Sequence, residues 1–141
     1  MISIGGENLI DLVSGAAAAD GLPQYVANPG GSPFNVAMAS GRQGQKVAYL
    51  TPVSEDALGA LLAERLVESK VTLAAGRVPH PTSLAVVSIT DGIPSYAFHR
   101  NGTAERQVTK QSLHRDMPAD TTLFHVGWLC LIDGDDADAW E

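Results

Sequence analysis

The sequence predicts an α/β fold. Short apolar runs of strand length alternate with helical patterns, as in parallel βα units. Helix starts and stops are marked by Ser-Pro and glycine punctuation. One Asp-Gly hairpin interrupts the alternation and predicts a second, smaller sheet.

Met1–Gly5 reads as a buried first strand ending at glycines, and Leu9–Val13 as a second short strand carrying Asp11. Ser14–Gly21 is small and polar, and Gln24–Ala27 reads as a third short strand. The cluster Asn28-Pro29-Gly30-Gly31 predicts a turn. A helix follows, with Ser32 as N-cap, Pro33 in the first position and Gly44 as the stop. Its small residues Ala37, Ala39, Ser40 and Gly41 suit close packing on a sheet.

Val47–Leu50 predicts a buried strand. Ser54 is the next N-cap expected, with Glu55 and Asp56 at the positive end of the helix dipole. Leu58, Leu61, Leu62 and Leu66 then form one apolar face. Val71–Ala75 reads as a strand. Leu84–Thr90 and Ile93–His99 flank Asp91-Gly92, the hairpin signal, and Pro94 puts the second of these strands at an edge. Thr121–Val126 reads as a buried strand, and Asp135–Glu141 as the beginning of a helix.

The 141 residues fit one domain with a real core: 45% are apolar and 18% charged. A net charge of −7 argues against nucleic acid and against an anionic membrane surface. No signal peptide or membrane-spanning run is visible, so the expected location is the cytoplasm. The single cysteine, Cys130, sits in an apolar run and reads as a core residue rather than a nucleophile.

Common phosphate and metal patterns are missing. Gly41 and Gly44 precede no Gly-Lys-Ser/Thr, and there is no G-x-G-x-x-G. His80, His99, His114 and His125 lack partners at ligand spacing. Asp133, Asp135, Asp136 and Asp138 lack the glycine and closing glutamate of a calcium loop and read as helix-start acids. Asn101-Gly102-Thr103 matches a glycosylation sequon by chance in a chain with no secretion signal.

Three polar segments remain. Gly5-Gly6-Glu7-Asn8-Leu9-Ile10-Asp11 places Asn8 and Asp11 at strand ends, where they can present acceptors to sugar hydroxyls or simply close a polar turn. In Gly30-Gly31-Ser32-Pro33-Phe34-Asn35 the glycines admit a ligand close to the backbone, and Asn35 offers two donors and an acceptor from the first helical turn. The alternative is a plain turn and helix start. In Phe98-His99-Arg100-Asn101-Gly102-Thr103, Phe98 and Arg100 share one strand face, pairing a flat apolar surface with a cation. The alternative is an exposed arginine at a strand end.

With Pro81-Thr82-Ser83-Leu84-Ala85-Val86-Val87 and the longer run Phe98–Gln107, these segments resemble, in order, the sugar-site segments of PfkB-family carbohydrate kinases, most like the fructokinases. The resemblance implies a ribokinase-like α/β/α sandwich with a small β-sheet lid, its strands near 9–28 and 82–100. The lid would cover the sugar. By the same resemblance the sugar contacts are Asn8, Asp11, Gly31, Asn35, Phe98 and Arg100.

ATP and Mg²⁺ are the implied cofactors, and the lid the implied homodimer contact. Ala85 stands where related 2-keto-3-deoxygluconate kinases often carry an aromatic, which favours fructose as the substrate; a 2-keto-3-deoxygluconate kinase, another sugar kinase, or a non-catalytic sugar-binding or dimerising fragment are the alternatives. The family's base lies in an Asp-Thr-x-Gly-Ala-Gly-Asp segment that does not occur in these residues. Its closest string, Ile132-Asp133-Gly134-Asp135-Asp136, lacks the threonine and the glycine pair. The expectation is therefore an N-terminal half without its ATP-binding portion, with no catalytic residue and no metal ligand in this chain.

Overall fold

The computed structural model describes residues 1–132, 134 and 136–141. Two four-stranded sheets organise them. The first has the order β10-β1-β4-β6, from β1 (Ile2–Gly5), β4 (Val47–Tyr49), β6 (Val71–Leu73) and β10 (Leu123–Val126), all parallel. The second has the order β3-β2-β8-β9, from β2 (Leu9–Ser14), β3 (Tyr25–Gly30), β8 (Ser83–Thr90) and β9 (Ile93–His99). A separate parallel pair joins β5 (Val53–Ser54) to β7 (Arg77–Val78), which flank β6 in sequence.

Alternation along the first sheet builds two layers of core, because successive side chains leave a strand on opposite faces. Ile4, Val47, Tyr49 and Val71 point one way and pack with Phe34 and Ala37 of α1 (Ser32–Arg42) and Leu62 and Leu66 of α2 (Ala57–Glu68). Each fully buried leucine there contributes about 1.5–3 kcal/mol. Leu50 points the other way, toward Val108, Cys130, Leu113 of α3 (Lys110–Asp116) and Trp140 of α5 (Ala137–Trp140). Gly5 lies under the Trp140 ring so closely that any side chain there would collide with it. The body is thus the expected α/β/α sandwich.

The hairpin forms as its sequence demands. Asp91 and Gly92 both have positive φ, 52° and 77°, and β9 takes the edge position where Pro94 costs no ladder bond. Gly44, at φ 86°, ends α1 as expected.

Several boundaries differ from expectation. Residues 28–30 continue β3 instead of turning, because Asn28, Pro29 and Gly30 pair with Asp11, Ile10 and Leu9. Gly31 rather than Ser32 caps α1: the Ser32 N–H donates to the Glu7 carboxylate at 3.1 Å, so a distant acid does the capping. Asp56 rather than Ser54 caps α2, accepting from the Gly59 N–H at 2.7 Å, while Ser54 is absorbed into β5. The strand at 121–126 shortens to Leu123–Val126 and is not buried, since β10 is an edge strand with Leu123 52% and Phe124 41% exposed. A short helix, α4 (Leu129–Ile132), follows it. Of the acids read as starting the last helix, Asp133 and Asp135 lie outside the described residues; Asp136 flanks α5 without a side-chain cap bond.

Asp56 also accepts from the Thr82 N–H at 2.8 Å and the Thr82 hydroxyl at 2.6 Å, which ties α2 to the start of β8. Its burial opposes ionisation, but the hydrogen bonds from Thr82, Gly59 and Ser54 outweigh it and pull the pKa down to about 2. A depressed carboxylate stabilises the fold above its unfolded pKa, and that stabilisation is lost as pH falls toward the folded value. The Asp56→Asn variant should therefore lose stability near neutrality and show a shallower decline than the parent between pH 4 and pH 2; urea titrations at stepped pH measure both.

Candidate functional site

The site grows out of the second sheet and its junction with α1. Strand register sets a row across that sheet: Asn28 of β3 opposes Asp11 of β2, Asp11 opposes Ala85 of β8, and Ala85 opposes Phe98 of β9. Residues opposed in register share a face, and adjacent strands lie roughly 4.8 Å apart. Asp11 and Phe98 therefore flank the small, buried Ala85 on one face, two strand spacings or roughly 10 Å apart. The neighbouring Tyr96 ring stacks on Phe98 with centroids 6.0 Å apart and planes 10° apart. Ile10, Leu12 and Leu84 leave the opposite face and pack against the body core.

Asp11 is half-buried, and burial lifts its pKa. Gly30 faces it so closely that a Cβ would strike the carboxylate. Gly31, at φ 108°, follows, and a side chain there would strike the Glu7 carbonyl. The backbone thus passes from β3 into α1 with no side chain in the way. Asn35 is exposed in the first turn of α1, its N–H donating to the Gly31 carbonyl at 2.9 Å. Asn8 is placed differently: it is 2% exposed, and its amide donates to the Pro52 carbonyl at 3.1 Å, which locks the β1–β2 link to the body.

Phe98 and Arg100 line two cavities together. One, of about 360 Å³, includes Thr82, Leu84 and Thr103. The other, of about 370 Å³, includes Arg106, Leu129 and Ile132. Asp11, Gly31 and Asn35 are not in the lining of either. Arg100 is not the exposed arginine the strand end suggested. It is 8% exposed and pairs bidentately with Glu105 of the 3₁₀ turn Ala104–Arg106, Nε to Oε1 at 2.6 Å and a terminal nitrogen to Oε2 at 3.2 Å.

Two acids inside the segments already singled out were missed. Glu105, 1% exposed, also accepts from the Ser83 hydroxyl at 2.9 Å, and that hydroxyl lies 2.7 Å from the Thr103 hydroxyl. It therefore clamps the first residue of β8 to the residues just after β9. Glu7, also 1% exposed, caps α1 through Oε1, while Oε2 is buried without a hydrogen-bond partner. Burial raises the Glu7 pKa; its bond to Ser32 opposes this, and the nearby Glu105 charge adds to it. The one available signal was the acid itself, an ionisable residue beside glycines and apolar residues at a predicted strand end.

Two sets of contacts result: Glu7 with α1, and Asp11 with Gly30 and with Phe98 across Ala85, on one side, and Glu105 with Arg100 and Ser83 on the other, with Glu7 in the field of Glu105 and Arg100. Cys130 stands apart, its thiol donating to the Gly127 carbonyl at 2.8 Å and pushed up to about 12 chiefly by burial, so it is not a nucleophile. Among the described residues no three His, Cys, Asp or Glu side chains are grouped to hold a metal ion, and no helix is long and apolar enough to cross a membrane.

Comparison with known proteins identifies the family and the fold. The pfkB family carbohydrate kinase model matches residues 6–141. A fructokinase of Rhizobium leguminosarum bv. trifolii is 33% identical over 142 residues, which is 100% of this chain and 43% of that protein. A probable fructokinase-4 of Arabidopsis thaliana is 34% identical over 133 residues, 90% of this chain and 40% of its own. The crystal structure of a fructokinase from Xylella fastidiosa, also solved with bound ATP, superimposes with a TM-score of 0.86 at 27% identity and covers 98% of this chain and 45% of its own. The chain thus spans less than half the length of these relatives.

Gly31→Ala should cost on the order of 2–4 kcal/mol, because positive φ and the clash with Glu7 add. Gly21→Ala, also at positive φ (80°) but with open space around it, should cost much less. Thermal melts of the two variants compare the terms.

Proposed function

Because this chain belongs to the pfkB family of carbohydrate kinases, we propose that it supplies the sugar-binding part of an ATP-dependent kinase that phosphorylates a hydroxyl of fructose. The row Asp11–Ala85–Phe98 beside the glycine-lined start of α1 carries this reading. Asp11 accepts hydrogen bonds from sugar hydroxyls. Asn35 donates and accepts from the helix start, and Gly31 lets the sugar lie against the backbone. Phe98 presents a ring to the C–H face of the sugar, and Arg100 donates from the end of β9. Asn8, engaged inside the body, acts by holding the strand that carries Asp11. The second sheet then serves as the lid, closing over the sugar and excluding water from the transfer.

The bound nucleotide would supply the γ-phosphoryl group, and the accepting hydroxyl would lose its proton to a base. The residues described do not fit either task. No glycine-rich segment offers a run of N–H groups to phosphate, and no acid cluster suits Mg²⁺. We place nucleotide, metal and base in the additional length that the relatives have and this chain does not span. The uncovered edge of β10, with Phe124 and Trp128 exposed, is where that length would pack. The lid's exposed Val26, Ile89 and Ile93 suit a second copy of the lid, giving a homodimer. A cytoplasmic location goes with this reading.

Ala85 supports fructose over 2-keto-3-deoxygluconate, because an aromatic at the centre of the row would fill the space between Asp11 and Phe98. In the protein at its full natural length, Asp11→Asn should lower kcat/KM for fructose roughly tenfold to a hundredfold, the loss of a charge-assisted hydrogen bond. Arg100→Ala should raise KM for the sugar while leaving KM for ATP near the parent value. Steady-state kinetics with each substrate varied would sink the assignment if the ATP constant alone moved.

A further inference from the structure

We infer that Glu105 is a specificity-determining residue: by neutralising Arg100 it sets the cleft to take an uncharged sugar and to reject a sugar acid. This deepens the proposed sugar site and rests on it. An arginine in a sugar cleft would ordinarily favour an anionic ligand, since its fork matches a carboxylate. Here one edge of the guanidinium, Nε and a terminal nitrogen, is already engaged by the Glu105 carboxylate, at 2.6 and 3.2 Å, with 8% and 1% of the two side chains exposed.

The other guanidinium nearby is answered in the same way. Arg106, which shares a cavity with Arg100, is paired at 2.6 Å with Asp136, itself 1% exposed in its side chain. Glu7 lies within the field of Glu105 and Arg100, and Asp11 sits across the Ala85 row. Among the described residues, the two guanidiniums are thus answered by the Glu105 and Asp136 carboxylates, with Glu7 close enough to feel Arg100 and Glu105. A carboxylate entering this cleft would leave water for a site without net positive potential, which is unfavourable where the dielectric is low. A neutral polyol bears no such cost and can hydrogen-bond to both signs of group.

Glu105 acts through Arg100, so its test needs a readout that loss of structure alone would not move. That readout is the ratio of anionic to neutral ligand. In the full-length protein, gluconate and its uncharged counterpart sorbitol serve as competitive inhibitors against fructose. Sorbitol should inhibit roughly tenfold or more better than gluconate in the parent. In Glu105→Gln, which keeps an acceptor for Ser83 but drops the charge, that ratio should shrink about tenfold and 2-keto-3-deoxygluconate should gain as a substrate relative to fructose. Parallel loss of both ligands with an unchanged ratio would overturn the inference. If Glu105→Gln does not fold, the parent alone decides: gluconate binding as well as sorbitol overturns it. Preference for sugar acids in the parent overturns this inference but leaves a carbohydrate kinase standing. No binding or turnover of any sugar overturns both.

Discussion

A carboxylate with almost no water around it ties the second sheet to the turn that follows it. Glu105 receives Arg100 from the end of β9 and Ser83 from the start of β8, so both legs of the hairpin are rooted on one side chain. A buried ion pair rarely adds much net stability, because desolvation offsets most of its attraction. What it supplies is geometry. Removing either partner strands a buried charge, so the pair tolerates only the arrangement in which both legs converge. The aromatic face of Phe98 and the guanidinium of Arg100 are fixed relative to the body by that requirement.

Glu7 makes the corresponding connection on the other side of the cleft. It follows β1 closely, yet it caps a helix that begins twenty-five residues later. The first strand and the first helix are thereby held at a spacing that only glycine permits at Gly31. The Glu105 charge raises the cost of ionising Glu7, and Arg100 lowers it. These buried groups form a small electrostatic balance between the first strand and the second sheet.

Much of the fold was legible because its signals are local. The Asp91-Gly92 pair needs two positive φ angles and specifies its turn without help from the rest of the chain. Pro94 marks an edge because a proline has no N–H to give. Leu58, Leu61, Leu62 and Leu66 mark a helix face by spacing alone. Misreadings occurred where a distant partner overrode the local signal. Ser32 has the right chemistry for an N-cap, but Glu7 reaches its N–H first. Ser54 likewise yields to Asp56, whose carboxylate must also satisfy Thr82. Asn28, Pro29 and Gly30 are turn residues by composition, yet pairing with β2 keeps them extended. The apolar run at Leu123–Val126 reads as buried by composition, but its edge position in the sheet leaves Leu123 and Phe124 facing solvent.

For the candidate site, the sequence by itself determined only which residue types are on offer: polar and glycine residues at strand ends and at a helix start, and an aromatic two positions before an arginine. It also determined that these residues carry no phosphate loop. Only the tertiary structure decided that Asp11, Ala85 and Phe98 share one row, that Asn8 turns inward, and that Arg100 is answered by Glu105. The reason is that strand register and ion pairing are relations between segments far apart in the chain. Their energies depend on distance in space, which residue types and spacing do not encode.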